Sequence, residues 1–369
     1  MPTRDETASV TMKVIIAIDS FKGCLTSGEA NQAAAAGIRS VCPDATIAQV
    51  TVSDGGEGFN EAFHAAIGGK LVDVSAKDPL MRNITAHYLL KDQTAVIETA
   101  AASGLTLLTP EERNPLKATS YGTGLIIADA VRKGARHIIV GLGGSATSDA
   151  GIGMLRALKD TLSPHGLWDD IEALHGVRFT VASDVDNPLY GEHGAAHVFA
   201  TQKGATPEMI RVLDNRARHF AAVSARHFGY DCSQDKGAGA AGGLGYAFMQ
   251  YLRADCRPGT ELLLEAVRFD RLLPGADLII TGEGSADRQT LMGKLPLGIL
   301  RHARSVPVGL IAGCIGDRDL LLRAGFACAE CINPTGITHE EAMRKEVAKQ
   351  NIGHTVRRIL TTTAETLTH

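Results

Sequence analysis

The chain has 369 residues, enough for two domains, each large enough to keep water out of a cleft. Charged residues are 21% of the sequence, 37 basic against 41 acidic for a net charge of -4, and no Lys/Arg block marks a nucleic-acid track. No apolar run reaches the ~18 to 20 residues of a membrane span, and the opening MPTRDETASVT lacks the apolar centre of a secretory leader, so a cytoplasmic location without membrane contact is expected.

In chain order, residues 1–11 read as a disordered extension, and the first strand lies in KVIIAIDSFKG (13–23), a Val/Ile-rich run that stops at an acid and a glycine. TSGEANQAAAAGIRSV (26–41) follows as a helix, with Thr26 and Glu29 at capping-box spacing. A second strand in IAQVTVSDGGEG (47–58) ends on Asp54, Glu57 and three glycines. Then the texture changes: residues 70–99 carry three short strands separated by the turn signals KDPLMRN and KDQT, the pattern of a meander. RHIIVGLGGSA (136–146) and RFTVASDVDNPLYG (178–191) each give a buried strand with a polar loop, and a long polar helix pattern occupies 207–228. DLIITGEGSAD (277–287) and VPVGLIAGCIGD (306–317) return to the first texture.

Strand, glycine loop, helix is α/β grammar, and ligands of such sheets bind beyond the C-terminal ends of the strands. The expected architecture is α/β with two domains. A discontinuous Rossmann-like three-layer α/β/α domain takes residues 1–76 and 277–369, and residues 77–276 form an inserted second α/β domain with a mixed sheet.

Two glycine patterns invite a dinucleotide reading. GAGAAGG (237–243) contains G-x-G-x-x-G, but FGYDCSQDK before it is turn-like and Asp255 falls within or after a helix pattern. Gly141-x-Gly143-x-x-Ala146 does follow a strand, yet the next strand-end acid, Asp184, comes about twice as late as the ~20 residues a ribose contact needs. GLGGSATSDAG (141–151) instead offers a helix N-terminus with bare amides and the hydroxyls of Ser145, Thr147 and Ser148, suited to an anion; a tight packing turn is the plainer alternative. No Walker A motif is present, since Arg288 stands where its first glycine should be, and no G-x-S-x-G elbow occurs.

Acids recur at the strand-end loops: Asp19, Asp54, Glu57, Asp149, Asp184, Asp186, Glu283 and Asp287. Singly each could cap a helix, as Asp19 and Asp149 are placed to do; together they suit Mg²⁺, which is held by one or two carboxylates and substrate phosphates. Lys22, Lys203 and Lys294 stand in glycine-rich settings near them. Amides, acids and point cations are the equipment of phosphoryl transfer. Seven cysteines do not suggest a disulfide framework, and Cys328-x-x-Cys331 has no second pair to complete a zinc site. His193 and His197 read as packing or surface residues.

Taken together, AIDSFKGCLTSGEA, SDGGEGF, AVIETAAASGL, RNPLKATSYGTG, GLGGSATSDAGIGMLRAL, ASDVDNPLYGEHGAAHVFATQKGA, GAGAAGGLG and ITGEGSADRQTLMGKLP resemble, in this order, the bacterial glycerate kinase family, including the glycerate 2-kinases. The likeness runs from Met12 over nearly the whole chain. Cys24, Ser53, Thr201 and Ser148 depart from the residues common there, and none of these removes a charged candidate.

The resemblance implies ATP-dependent phosphorylation of glycerate with Mg²⁺, 2-phosphoglycerate ahead of 3-phosphoglycerate, in organic-acid and glyoxylate metabolism. Its site residues carry over as follows. Asp184 and Asp186 with Asn187 hold Mg²⁺ or orient the glycerate hydroxyl, and Asp184 alternatively acts as base. Lys22 and Lys203 neutralise the moving phosphoryl group or grip the carboxylate, with Asp19 beside them. Asp54, Glu57, Ser145 and Lys294 contact substrate. Gly143, Gly144, Ser145, Thr147, Gly239, Gly282 and Glu283 line the nucleotide, and Asp287 adds a metal ligand. Small-molecule partners are expected, and a homodimer is left open. A nicotinamide-dependent oxidoreductase and a non-catalytic sugar-acid sensor are the competing readings.

Overall fold

The computed structural model describes residues 11–367 apart from Asp54 and Glu57. The N-terminal extension expected over residues 1–11 therefore lies outside the described residues, except for Thr11, as do the substrate contacts expected of Asp54 and Glu57. The strands are β1 Lys13–Ile18, β2 Thr46–Gln49, β3 Lys70–Lys77, β4 Asn83–Lys91, β5 Thr94–Glu98, β6 His137–Gly141, β7 Arg178–Ala182, β8 Asp255–Arg257, β9 Leu278–Ala286, β10 Val308–Ile315 and β11 Cys328–Cys331. They form two sheets in two compact units, Met1–Val52 with Val267–His369, and Ser53–Ala266.

The discontinuous unit carries a five-stranded sheet of order β11-β10-β9-β1-β2, parallel throughout. The apolar runs of β1 and β9 are explained by their central place: Val14, Ile15, Ile16 and Ile18 of β1, and Ile279 and Ile280 of β9, have no solvent exposure. Strand order reverses between β1 and β9, so the chain leaves them in opposite directions at a topological switch point, the usual crevice of such sheets. Helix Ser27–Arg39 begins with the expected capping box of Thr26 and Glu29. Cys328 and Cys331 lie three residues apart on β11, where side-chain alternation turns them to opposite faces.

The inserted unit carries a six-stranded mixed sheet, β3-β4-β5-β6-β7-β8. β3, β4 and β5 make the antiparallel meander, and β5 to β8 are parallel. Its core joins Tyr88, Ile97, Ile138, Val140, Phe179 and Phe248. Two expectations shift here. The unit begins at Ser53, not at residue 77, because helix Phe59–Ile67 packs on β4 and β5, and β3 pairs along its whole length with β4, from Lys70 opposite Leu90 to Lys77 opposite Asn83. Likewise it ends at Ala266, not at residue 276; Asp255 comes after helix Ala240–Leu252, as expected, and opens the edge strand β8 against β7. The polar helix is present as Pro207–Phe228, capped by the Thr206 hydroxyl. No helix among the described residues is long and apolar enough to cross a membrane.

Candidate active site

In the inserted unit, the loops that leave β5, β6 and β7 meet at the C-terminal edge of the parallel strands, where Gly55 and Gly56 join them. The Gly143 amide donates to the Gly55 carbonyl at 3.1 Å, and Leu142 N donates to Ala182 O at 3.1 Å. A Cβ on Gly143 would stand 2.3 Å from Gly56 Cα, so the glycines of both motifs are what lets the two backbones touch. From the β5 side, Thr99 Oγ1 donates to the carbonyls of Gly141 at 3.0 Å and Gly143 at 3.3 Å.

This geometry revises the open cradle expected of the loop. The Ser145 and Thr147 hydroxyls lie 2.9 Å apart and Ser145 Oγ accepts from Thr147 N at 3.0 Å; both residues are buried, and Gly143 is already committed to Gly55. Gly144 is the member of the set with an exposed backbone. The hydroxyls therefore shape the loop, and Gly144 is left as its exposed backbone position.

Lys203 is 3% exposed and donates to Thr147 O at 2.6 Å. Burial pushes its ammonium down to about 8, with Asp149 opposing the shift. It is thus a positive charge held under the loop rather than a surface cation. Asp149 is a cap, as its position allowed. One oxygen accepts from Ser120 N, Ser120 Oγ and Gly153 N at 2.9, 2.9 and 3.1 Å, and the other from Gly151 N at 3.1 Å. One carboxylate thereby serves the starts of helices Tyr121–Arg132 and Ile152–Leu162.

Asp184 follows β7, and its Oδ1 accepts from Gly259 N at 3.1 Å, capping helix Gly259–Ala266. Asp186 is exposed and pairs with exposed Lys236 at 2.9 Å. The neighbouring Cys256 thiol is pushed up to about 11 by burial and then by Asp184 and Asp186, so this corner is electronegative. Asn187 points elsewhere: its Nδ2 donates to His193 O at 2.9 Å. Gly239 also departs from expectation, since its amide donates to Asn187 O at 2.8 Å and a Cβ there would lie 2.3 Å from Pro188 O. It braces the loop after β7 and leaves no amide for a nucleotide.

In the discontinuous unit, Asp19 ends β1 with its amide on Gly282 O at 2.9 Å and its Oδ1 accepting from Ser20 N at 2.7 Å. Lys22 is exposed in the tight turn closed by Phe21 and Leu25. Glu283, 7% exposed within β9, accepts from Thr290 Oγ1 at 2.6 Å and from Lys294 Nζ at 3.1 Å. These residues gather at the switch point. Gly282 does not reach a ligand surface, for it is buried in β9 between Ile18 and Ile311. Asp287 caps the turn Arg288–Met292, its Oδ1 accepting from Gln289 N at 2.7 Å. No group of three or more His, Cys, Asp or Glu gathers in metal-binding geometry among the described residues.

Residues that the sequence reading passed over are Thr99, Ser120 and Asn60. All three fall inside motifs already quoted or directly after them, but hydroxyls and amides carry no charge signal. Asn60 is 2% exposed, with neither side-chain polar atom hydrogen-bonded, while its backbone N–H donates to Glu98 at 2.7 Å. An unsatisfied buried amide is costly, which marks the spot as more than packing.

The glycerate kinase family model matches residues 14–165 and 168–364. The chain belongs to this family. Among the family's curated members, the glycerate kinase of Bacillus subtilis (strain 168) is 41% identical over 354 residues, covering 90% of this chain and 93% of that protein. The glycerate 2-kinase of Escherichia coli (strain K12) is 41% identical over 328 residues, covering 83% of this chain and 86% of that protein. A crystal structure from Salmonella typhimurium LT2, described as a candidate glycerate kinase 2, superposes with a TM-score of 0.81 at 37% identity, covering 97% of this chain and 100% of that one. Glycerate kinase family membership thus extends over both units.

Proposed function

We propose that this chain is an ATP-dependent kinase that transfers the γ-phosphoryl group to a hydroxyl of glycerate, giving 2-phosphoglycerate. Membership of the glycerate kinase family is the observation that carries this reading. The chemistry of the two residue sets supports it. Neither set holds the nucleophile and base pair of a hydrolase, whereas both place cations, carboxylates or exposed amides at the C-terminal edges of parallel strands, as phosphoryl transfer requires.

Asp184 is the base that accepts the proton of the attacking hydroxyl, fixed in aim by its bond to Gly259 N. Gly144 lends its exposed backbone to nucleotide phosphate, with the buried charge of Lys203 behind the loop. In the other unit, Lys22 supplies a cation to the migrating group or the carboxylate, and the Glu283–Lys294 pair fixes a second cation. With Asp184 as base, the hard carboxylate oxygens of Asp186 fit Mg²⁺, which needs only one or two acids beside phosphate and water. When bound, that ion neutralises phosphate charge. Asp287, committed to its cap, is the weaker ligand.

Asp184→Asn keeps an acceptor for Gly259 N, so the fold should survive while the base is lost. kcat/KM should fall by about 10²–10⁴-fold with the melting temperature unchanged. Wild-type turnover in the folded variant would remove Asp184 from the chemistry.

A further inference from the structure

A cavity of about 260 Å³ lies wholly within the inserted unit, reached by the far end of the loop after β6 at Ser148, Asp149 and Ala150. Its walls are segment 115–119, the entry into helix Ile152–Leu162, and the side of helix Pro207–Phe228 that carries Leu213 and Arg216. Gly144, Asp184 and Lys203 do not line it.

Its charge is one-sided. Lys117, Arg156 and Arg216 line it against a single carboxylate, Asp149, whose two oxygens are already engaged by Ser120, Gly151 and Gly153. Neither Lys117 nor Arg216 pairs with a carboxylate among the described residues. Arg156 has only a solvated partner, Asp160 at 3.5 Å, of the kind that contributes little and yields readily. A second observation comes from the lining itself: Ser148 Oγ is buried there without a hydrogen-bond partner. Pro115, Leu116 and Ile152 add an apolar wall.

Two guanidinium groups, an ammonium and an orphan hydroxyl suit a phosphate group, and the apolar wall suits a short carbon frame. The geometry points to a second ligand site here, for a small phosphorylated organic acid. Ser148 and Asp149 belong to the same loop as Gly144, so occupancy ties that loop to helix Pro207–Phe228 and lowers turnover from outside the substrate site. That consequence rests on the kinase reading; the binding itself does not.

The test is calorimetric titration of the full chain with phosphoglycolate and, separately, inorganic phosphate, in wild type and in Lys117→Gln/Arg216→Gln. Both substituted side chains are exposed, so melting should be unchanged. The double variant should weaken a phosphoglycolate binding event at least tenfold, and inhibition non-competitive with glycerate should vanish while kcat/KM without effector stays within about twofold. Identical isotherms in wild type and variant would overturn the site, and equal affinity for inorganic phosphate would overturn an organic ligand. A variant-dependent isotherm in a protein without kinase activity would keep this site and sink the kinase reading instead.

Discussion

At Lys203, burial and charge oppose each other. Its ammonium has almost no solvent, one carbonyl at 2.6 Å and the field of Asp149, and its folded value of about 8 lies below the ordinary lysine value of 10.5. Between those two values the unfolded chain binds more protons than the folded one, so this residue makes stability rise as pH rises from about 8 towards 10.5. Below about pH 8 both states are protonated and its contribution is flat. Lys203→Met should therefore abolish a pH-dependent increment: urea unfolding at pH 7, 9 and 10 should show wild type gaining on the variant. Parallel curves would mean that the charge is better solvated than its burial indicates.

Among the elements, the segment GAGAAGG shows how much of the site rests on backbone contact. Helix Ala240–Leu252 starts with Ala241, Gly242 and Gly243 all at positive φ, and a Cβ on Gly242 would lie 1.9 Å from Thr147 O. Ala150 N donates to Gly242 O at 3.0 Å, closing the contact between this turn and the loop that Lys203 also holds. Gly242→Ala should cost about 1–3 kcal/mol by overpacking and displace Thr147. Denaturant titration beside kcat/KM should show both falling together, and a variant with wild-type values would show that the loop tolerates the shift.

What the sequence made legible follows the same physics. β1, β6 and β9 were readable because strands buried on both faces are continuous apolar runs, and Thr26–Glu29 because a capping box is local. The boundary at Ser53 was not, because helix Phe59–Ile67 and β3 suit either unit by pattern, and only the packing of that helix on β4 and β5 and the pairing of β3 with β4 decide. The surroundings of Gly239, Ser145 and Thr147 are not legible for a related reason: whether an amide or hydroxyl faces solvent or a neighbouring loop depends on contacts far along the chain, such as Gly239 with Asn187. The positions of Asp184, Lys203 and Glu283 at loops or strand ends are legible from the apolar runs that precede them, whereas their partners Gly259, Thr147 and Thr290 are not.

For the molecule as a whole, the inserted unit Ser53–Ala266 is continuous in sequence and has its own sheet and core. Expressed alone it should melt cooperatively yet show no turnover, because Asp19, Lys22, Glu283 and Lys294 belong to the other unit. Circular dichroism melting and a kinase assay check both halves of that expectation, and an unfolded fragment would show that its core depends on the remaining chain.

The most direct measurement is ADP release by the full chain with Mg-ATP and D-glycerate, L-glycerate, tartronate or glyoxylate, with the product assigned by phosphorus NMR. The account predicts release with D-glycerate and a phosphate on the 2-hydroxyl. ADP release with none of the four acids would contradict it, and a phosphate on the 3-hydroxyl would keep the kinase while overturning its regiochemistry.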